Sequence, residues 1–388
     1  MKYSTKISLG IFSIASVFFL MALTKPAQNK SSVTVKPQKQ KIQAAILLDV
    51  SSSMEGLIEQ AKAQLWNMVS VMGKAQCDNN TTPEIEIALY EYGRSSNDPK
   101  AGYIKQLSGF TTDLDQLSKN LFSLTTNGGD EYCGQVIYTS LNQLNWDASA
   151  GNYKVIFIAG NEDFLQGTVT YSKACESAKE KGVIVNTIYC GDRQQGIREH
   201  WNLNTECGNG SFTNIDQNAK IEEIPTPYDS TLISLNGGLN NTYLSYGYSG
   251  ADKFKGQAEM DQANASMSKS VGLQRIAVKG KKDLYRNESW DMVDASASDS
   301  LYYAKVDMKT LPDSLKNKTR AQLKEVIQTK MKERSLIQKN IETLNTQREA
   351  YITAERKRRA NNSNSPTLET EVEKTIRLQA KRFNMVIQ

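Results

Sequence analysis

The sequence predicts an α/β protein with a doubly wound, mostly parallel sheet and one antiparallel edge strand, followed by a mainly helical C-terminal region. Between residues 42 and 216, strand-like apolar segments alternate with segments of helical period. Most of these strands are apolar on both sides, which is typical of parallel strands that are covered by helices on two faces. From residue 311 onward, helix-forming residues dominate.

Composition places the chain among globular proteins. It has 388 residues, of which 39% are hydrophobic and 23% charged, and this length is sufficient for two domains with a full core. The net charge of +5 is small, and acidic and basic residues are interspersed. We therefore expect no nucleic-acid binding.

The N-terminus has the pattern of an export signal. Lys2 and Lys6 precede an uncharged apolar run from residue 7 to residue 23. We predict that residues 1–24 are a signal peptide or an N-terminal anchor, and that residues 25–41, rich in Lys, Pro and Ser, are a linker. The protein is then exported: periplasmic, secreted or associated with the cell envelope, with membrane contact only through an uncleaved anchor.

Residues 42–225 contain the predicted α/β domain. The segment at 84–92 alternates at period two, and residues 103–110 follow it after a turn, which predicts a hairpin that supplies the antiparallel edge. The other strands are predicted at 42–49, 153–160, 183–190 and 210–215. The helices are predicted at 54–75, 113–124, 134–146, 170–181 and 196–206.

Residues 226–388 form the predicted helical region, with helices near 230–247 and 257–271, a long helix at about 316–359 and a terminal helix at about 367–383. Lys330 and Arg334 interrupt the apolar face of the long helix, which we expect to include Tyr351. Ser365 and Pro366 fit the start of the terminal helix, which is long enough to fold back as an αα-hairpin. The basic stretch at 355–360 is interpreted as a solvated helix end or as a contact for an anionic partner.

The five cysteines do not form a metal or redox motif, because none is spaced as C-x-x-C. An odd number leaves at least one cysteine unpaired. Cys190 ends one strand and Cys207 precedes the next parallel strand, so the two lie at opposite ends of the sheet. We therefore do not expect a disulfide between them. The cysteines are Cys77, Cys133, Cys175, Cys190 and Cys207.

The stretch "DVSSS" places Asp49, Ser51 and Ser53 at the carboxyl end of the first strand, where open α/β sheets carry their ligand sites. A carboxylate and two hydroxyls are hard oxygen donors that suit Mg²⁺ with water completing its shell. The alternative is that a serine caps the following helix and Asp49 favours the helix dipole.

With this motif and this order of elements, residues 42–220 resemble the von Willebrand factor A domain family. The resemblance implies a metal-ion-dependent adhesion site that holds Mg²⁺ or Mn²⁺, with a threonine from a second loop and an aspartate from a third. It also implies a protein ligand whose carboxylate completes the metal shell.

The second loop, "TTNGGDEYCGQVI", places Asp130 where the family has its threonine, with Glu131 adjacent and Thr125 and Thr126 upstream. An extra carboxylate binds the ion more tightly but makes it less attractive to a partner's acid. The alternative for Asp130 is a simple Gly-Gly-Asp turn. The predicted metal ligands are Asp49, Ser51, Ser53 and Asp130.

The third loop, "IFIAGNEDF", has Gly160 where the family has an aspartate. Asn161 or Glu162 is then expected to reach the site through water. Asp163 follows them in the loop.

Catalytic motifs are missing from the sequence. His200 is the sole histidine, and neither a G-x-S-x-G nucleophile elbow nor a P-loop is present. We therefore expect an exported, non-enzymatic protein that mediates adhesion or another protein–protein interaction through its metal site. The alternative is a structural or assembly protein of the cell envelope, with a metal-free scaffold and C-terminal helices that oligomerise.

Overall fold

The strands of the protein are short and regular, and most end where the sequence predicts. The computed structural model describes residues 39–78, 81–206 (without the side chains of 204–206), 210–216, 218–219, 223–359 and 368–387. The predicted signal or anchor and the linker up to residue 38 lie outside these ranges. The strands are β1 (Lys41–Asp49), β2 (Ala75–Gln76), β3 (Glu84–Tyr92), β4 (Lys105–Thr111), β5 (Tyr153–Gly160), β6 (Ile184–Cys190), β7 (Phe212–Ile215) and β8 (Val386–Ile387).

Helices connect and surround these strands. The α-helices are α1 (Glu55–Met72), α2 (Leu114–Phe122), α3 (Cys133–Gln143), α4 (Tyr171–Lys181), α5 (Arg193–Arg198), α6 (Asp229–Asn240), α7 (Gly250–Met267), α8 (Lys269–Lys279), α9 (Met292–Ser298), α10 (Tyr302–Lys305), α11 (Asp313–Lys316), α12 (Arg320–Arg359) and α13 (Leu368–Ala380). Short 3-10 helices lie at Ser52–Met54, Pro99–Ala101, Trp201–Glu206, Met308–Thr310 and Lys381–Phe383. No helix in the described ranges combines the length and apolar character needed to cross a membrane.

The central sheet has six strands in the order β4-β3-β1-β5-β6-β7. All neighbouring pairs are parallel except β3 and β4, which are antiparallel. The predicted fold class is therefore confirmed. The register pairs Asp49 with Tyr92 and Leu48 with Ala159, which places the carboxyl ends of β1, β3 and β5 at one level.

Side chains of β1 are buried on both faces of the sheet, which explains its uninterrupted apolar sequence. Ile46 and Leu48 belong to the core beneath α1 and α2, whereas Ala45 and Leu47 belong to the core beneath α3 and α4. β1 is thus held between two layers of helices, and its end is fixed for the loop that follows.

The helices after β7 pack onto the α1–α2 face of the sheet. α8 contacts α1, α7 contacts α2, and α12 runs across α6, α8 and α9. Arg275 of α8 is 1% exposed and its guanidinium donates to Asp115 of α2 and Asp261 of α7, each over 2.6 Å. The predicted boundary at residue 225 falls between β7 and α6, and the parts on either side pack as one compact unit from Lys39 onward.

The terminal helix α13 packs against α1, not lengthwise along α12. The αα-hairpin expected from the sequence is therefore wrong for the described residues, because α13 buries its apolar side on the sheet layer. Leu368, Val372 and Ile376 of α13 belong to the core that contains α1. Ser365 and Pro366, the predicted helix start, lie outside the described residues.

The helix predicted at 196–206 is interrupted. α5 ends at Arg198, His200 adopts a left-handed conformation with φ of 64°, and a 3-10 helix follows. This turn buries Trp201 completely, and its indole N–H donates to the main-chain oxygen of Glu162 over 2.7 Å. The interruption therefore attaches the third predicted metal loop to the core.

Three of the cysteines, Cys77, Cys133 and Cys190, are buried free thiols, and Cys175 is disulfide-bonded. Cys207 lies outside the described residues. Burial holds the pKa of the Cys133 and Cys190 thiols far above the ordinary value, so both stay protonated and unreactive.

Candidate metal centre

Asp49 lies at the end of β1 and is fully buried. The main-chain N–H of Ser51 donates to its Oδ1 over 2.7 Å, which fixes the orientation of the carboxylate. The other oxygen, Oδ2, is buried and makes no hydrogen bond within the described structure. A buried carboxylate oxygen of this kind is costly unless a cation or a proton occupies it.

The hydroxyls of Ser51 and Ser53 face each other next to this carboxylate. Ser51 Oγ lies 3.3 Å from Ser53 Oγ, and Ser53 Oγ donates to Asn161 Oδ1 over 3.2 Å. Ser51 stands before the first helical turn, but its side chain makes no capping hydrogen bond. The helix-cap alternative therefore does not describe this loop, and both hydroxyls remain next to Asp49.

The second loop is hydrogen-bonded to the ends of the neighbouring strands. The N–H of Asn127 donates to the carbonyl oxygen of Val50 over 2.9 Å, and that of Ser95 to the oxygen of Gly128 over 2.7 Å. Thr125 is exposed, and its carbonyl oxygen accepts a hydrogen bond from Arg94.

The two acidic residues of this loop have different surroundings. Asp130 is exposed, and its Oδ2 accepts a hydrogen bond from the Tyr132 hydroxyl over 3.0 Å. Glu131 is only 7% exposed. A Cβ added at Gly93 would lie 2.9 Å from Asp49 Oδ1 and 3.6 Å from Glu131 Oε1, so both carboxylates border this glycine. Gly93 has φ of 79°, which favours glycine there.

The third loop lacks room for a side chain at Gly160. A Cβ there would lie 2.6 Å from the Tyr92 hydroxyl and 3.0 Å from Asp49 Oδ2. The Tyr92 hydroxyl donates to the carbonyl oxygen of Ala159 over 3.0 Å, so the phenol fills this position. Asn161 reaches the site instead, through its hydrogen bond with Ser53.

The remaining acids of the third loop lie at the rim. Glu162 is exposed, and Asp163 Oδ1 lies 3.1 Å from His200 Nδ1. The pairing of Asp163 with His200 was not predicted, because the left-handed turn at His200 has no clear signal in the sequence.

Burial raises the pKa of Asp49 to about 7, and the Glu162 carboxylate adds to the increase. Hydrogen bonding from Ser51 to this carboxylate opposes the increase. Burial also raises the pKa of Glu131 to about 8, with contributions from the charges of Asp49, Glu162 and Asp130. These carboxylates repel one another, and a cation placed among them would relieve that repulsion.

The donor set fits a hard divalent cation. Two oxygen ligands at adjacent corners of an Mg²⁺ octahedron are about 3.0 Å apart, close to the 3.3 Å between the hydroxyls of Ser51 and Ser53. The described residues contain no group of three or more His, Cys, Asp or Glu side chains arranged for a metal. An ion here would therefore be held by a mixed set of carboxylates, hydroxyls and water.

No protein-family model matches the chain, and no curated protein is a significant match to its sequence. Solved structures with a similar arrangement include the pilus adhesin SpaC from Lactobacillus rhamnosus GG in its open conformation (16% identity, TM-score 0.35). Proximal thread matrix protein 1 from the mussel byssus, with a zinc-occupied MIDAS motif (12% identity, TM-score 0.34), and the SpRpn10 VWA domain (17% identity, TM-score 0.32) are also similar.

The matched parts are limited on both sides. The match to the adhesin covers 46% of this chain and 28% of the adhesin. The match to the thread protein covers 45% of this chain and 42% of the thread protein. The match to the VWA domain covers 45% of this chain and 88% of that domain. At these identities and TM-scores, the similarities carry no conclusion about what this chain binds.

Proposed function

We propose that the chain is an exported, non-enzymatic binding protein that holds Mg²⁺ or Mn²⁺ at Asp49, Ser51 and Ser53 and engages a protein ligand at that face. The observation that carries the proposal is Asp49 Oδ2, which is buried without a hydrogen-bond partner beside two serine hydroxyls. The site lies at the carboxyl edge of the parallel strands, where open α/β sheets bind their ligands, and the side chain of Ser53 is exposed there.

The surroundings of the site favour binding over catalysis. His200, the one imidazole in the sequence, is hydrogen-bonded to Asp163 and not to a serine. The buried thiol of Cys133 is protonated because burial raises its pKa. Cys133 is therefore not an activated nucleophile, and in the described structure His200 has no hydroxyl or thiol hydrogen-bonded to it that it could activate as a general base.

Isothermal titration of Mn²⁺ and Mg²⁺ into the full chain tests the proposal, with Asp49→Ala as the loss variant and Asp313→Asn as the matched control. We expect saturable binding in the wild type, loss of binding in Asp49→Ala, and little change in Asp313→Asn, because the Asp313 side chain is 97% exposed on α11. Circular dichroism checks that each variant is folded. The proposal is refuted if the folded wild type and Asp49→Ala give the same titration.

The assembly function remains a second proposal, and α12 supplies the observation that favours it. Leu336 is 62% exposed and Tyr351 is 42% exposed on this helix. If α12 mediates self-association, the double variant Leu336→Ser, Tyr351→Ser lowers the sedimentation mass, whereas Asp49→Ala does not. If the double variant has the same sedimentation mass as the wild type, these two side chains do not mediate self-association.

A further inference from the structure

We propose that Glu131 is the second carboxylate ligand of the ion site, and that the loaded face therefore selects a basic protein segment which offers the ion an uncharged oxygen. This inference rests on the proposed function. It differs from the expectation drawn from the family resemblance, in which a partner's carboxylate completes the metal shell.

The first step is the position of Glu131. Its side chain is almost fully buried, although it belongs to a surface loop. Gly93 separates it from Asp49, and the absence of a Cβ at Gly93 lets the two side chains approach, since a Cβ there would be 2.9 Å from both Asp49 Oδ1 and Glu131 Cγ. Glu131 thus approaches Gly93 from one side and Asp49 Oδ1 from the other, while the unpartnered Asp49 Oδ2 lies near Gly160.

The second step is the charge of the loaded site. Two ionised carboxylates balance the charge of one divalent cation, so the ion keeps no net charge with which to attract a third carboxylate. Ion sites that recruit an acidic partner need the opposite arrangement, in which few protein charges surround the ion. Here the hydroxyls of Ser51 and Ser53 complete the set as neutral donors.

The third step is the charge of the rim. Glu162 and Asp130 are both exposed, and both act on Glu131 by repulsion. Arg94, which follows Gly93 in the sequence, donates to the carbonyl oxygen of Thr125 and lies 3.7 Å from Glu91. Its charge is thus directed toward β3 and the base of the loop. The loaded face is negative, which attracts lysine and arginine and repels acidic segments.

The test uses Mn²⁺-saturated full chain and two eight-residue probe peptides, one alternating Ser and Lys and the other alternating Ser and Glu. Fluorescence anisotropy gives the dissociation constant of each. We expect the wild type to bind the lysine peptide roughly tenfold or more tightly than the glutamate peptide, with the preference shrinking as salt is added.

Two variants separate the roles of the acids. Glu131→Gln keeps the shape of the side chain but removes its charge. We expect it to raise the Kd for Mn²⁺ by roughly 10- to 100-fold, which is the loss of affinity that substitutions around metal sites typically cause. Glu162→Gln is expected to narrow the peptide preference and to change the Kd for Mn²⁺ by less than Glu131→Gln does, because Glu162 acts on the carboxylates of Asp49 and Glu131 through its charge and not as a ligand. Asp313→Asn, at a side chain 97% exposed on α11, is the matched control and leaves both quantities unchanged.

Failure of this inference is distinguishable from failure of the proposed function. If Mn²⁺ binding depends on Asp49 but Glu131→Gln leaves the Kd unchanged, Glu131 is not a ligand and only this inference falls. The same holds if the Mn²⁺-loaded wild type binds the glutamate peptide as tightly as the lysine peptide. If neither the wild type nor any variant binds Mn²⁺, the proposed function fails, and this inference with it.

Discussion

Gln379 of the last helix and Asn186 in the middle of the sheet exchange a reciprocal pair of amide hydrogen bonds. Gln379 Nε2 donates to Asn186 Oδ1 over 2.7 Å, and Asn186 Nδ2 donates to Gln379 Oε1 over 3.0 Å. The Tyr153 hydroxyl donates to the same Gln379 oxygen over 2.8 Å. These buried bonds fix the position of α13 on the strands β5 and β6.

Replacing Gln379 by leucine should therefore destabilise the protein. The change leaves Asn186 Nδ2 and the hydroxyl of Tyr153 buried without their acceptor, while Asn186 Oδ1 keeps its bonds from Ser211, and we expect a cost of about 1–3 kcal/mol in the free energy of unfolding. Urea unfolding measures this loss, and hydrogen exchange should show lower protection in α13. Leu378→Ala, at a neighbouring side chain that is 58% exposed, is the control and should cost less than about 0.5 kcal/mol. Equal costs for the two variants would contradict the structural role of Gln379.

The carboxylates of the candidate metal centre should make the stability of metal-free protein depend on pH. In the folded state, the pKa values of Asp49 and Glu131 are about 7 and about 8, compared with ordinary values of 3.8 and 4.5. Between these limits the folded state binds more protons than the unfolded chain, so stability falls as the pH rises from about 4 to about 8.

We therefore expect the urea midpoint of EDTA-treated protein to decrease from about pH 5 to about pH 8. Asp49→Asn, which cannot ionise, should flatten that decrease. If Mg²⁺ occupies the proposed site, it binds the ionised carboxylates and displaces their protons, so its stabilising effect should be largest at the upper end of this range. A metal-free midpoint that rises with pH in the wild type would contradict the buried positions of both acids.

The contact between Gly160 and the Tyr92 hydroxyl predicts a double-mutant cycle. Gly160→Ala places a Cβ where the structure allows only 2.6 Å to that hydroxyl, and overpacking of this kind costs about 1–3 kcal/mol. In a Tyr92→Phe background the hydroxyl is gone, and the same alanine should cost less. Chemical unfolding of the four proteins gives the coupling. If the destabilisations caused by Gly160→Ala and Tyr92→Phe simply add, the Tyr92 hydroxyl is not what the new Cβ contacts, and the prediction is wrong.

Arg334 should be among the most sensitive positions of α12. It is 4% exposed, and its Nη1 donates to Asp291 Oδ2 and Asp294 Oδ1, each over 2.6 Å. Arg334→Met leaves both carboxylates buried without their cation, which costs about 3–5 kcal/mol. Arg358→Met, whose side chain is 77% exposed on the same helix, should change stability by less than about 0.5 kcal/mol. Thermal and urea unfolding of the two variants check the difference.

The sheet was predictable because its strands follow local rules. The bounds of β3 and β5 agree with the predicted 84–92 and 153–160, since apolar runs and alternation report burial directly. The partner of α13 was not predictable in this way. A helical period shows which side of a helix is buried, but not that α1, more than 290 residues earlier in the chain, covers it.

The charged residues were harder to interpret. Arg334 interrupts the apolar pattern of α12 and suggests a solvated face, but it is buried because Asp291 and Asp294 neutralise it. Tyr351, expected on the buried side, is 42% exposed. In the second loop, Asp130 is exposed and Glu131 is buried. Which of two adjacent acids is buried depends on the backbone conformation of the turn, and the sequence does not specify it.

The docking of α13 also bears on how the chain is made. The whole helical region, α6 to α12, is translated between β7 and α13, and at about 5–20 residues per second this takes on the order of ten seconds or more. Until then, the side of the sheet that Leu368, Val372 and Ile376 cover is incomplete. A chain that lacks α13 thus leaves this part of the core exposed as an apolar surface that chaperones and proteases recognise.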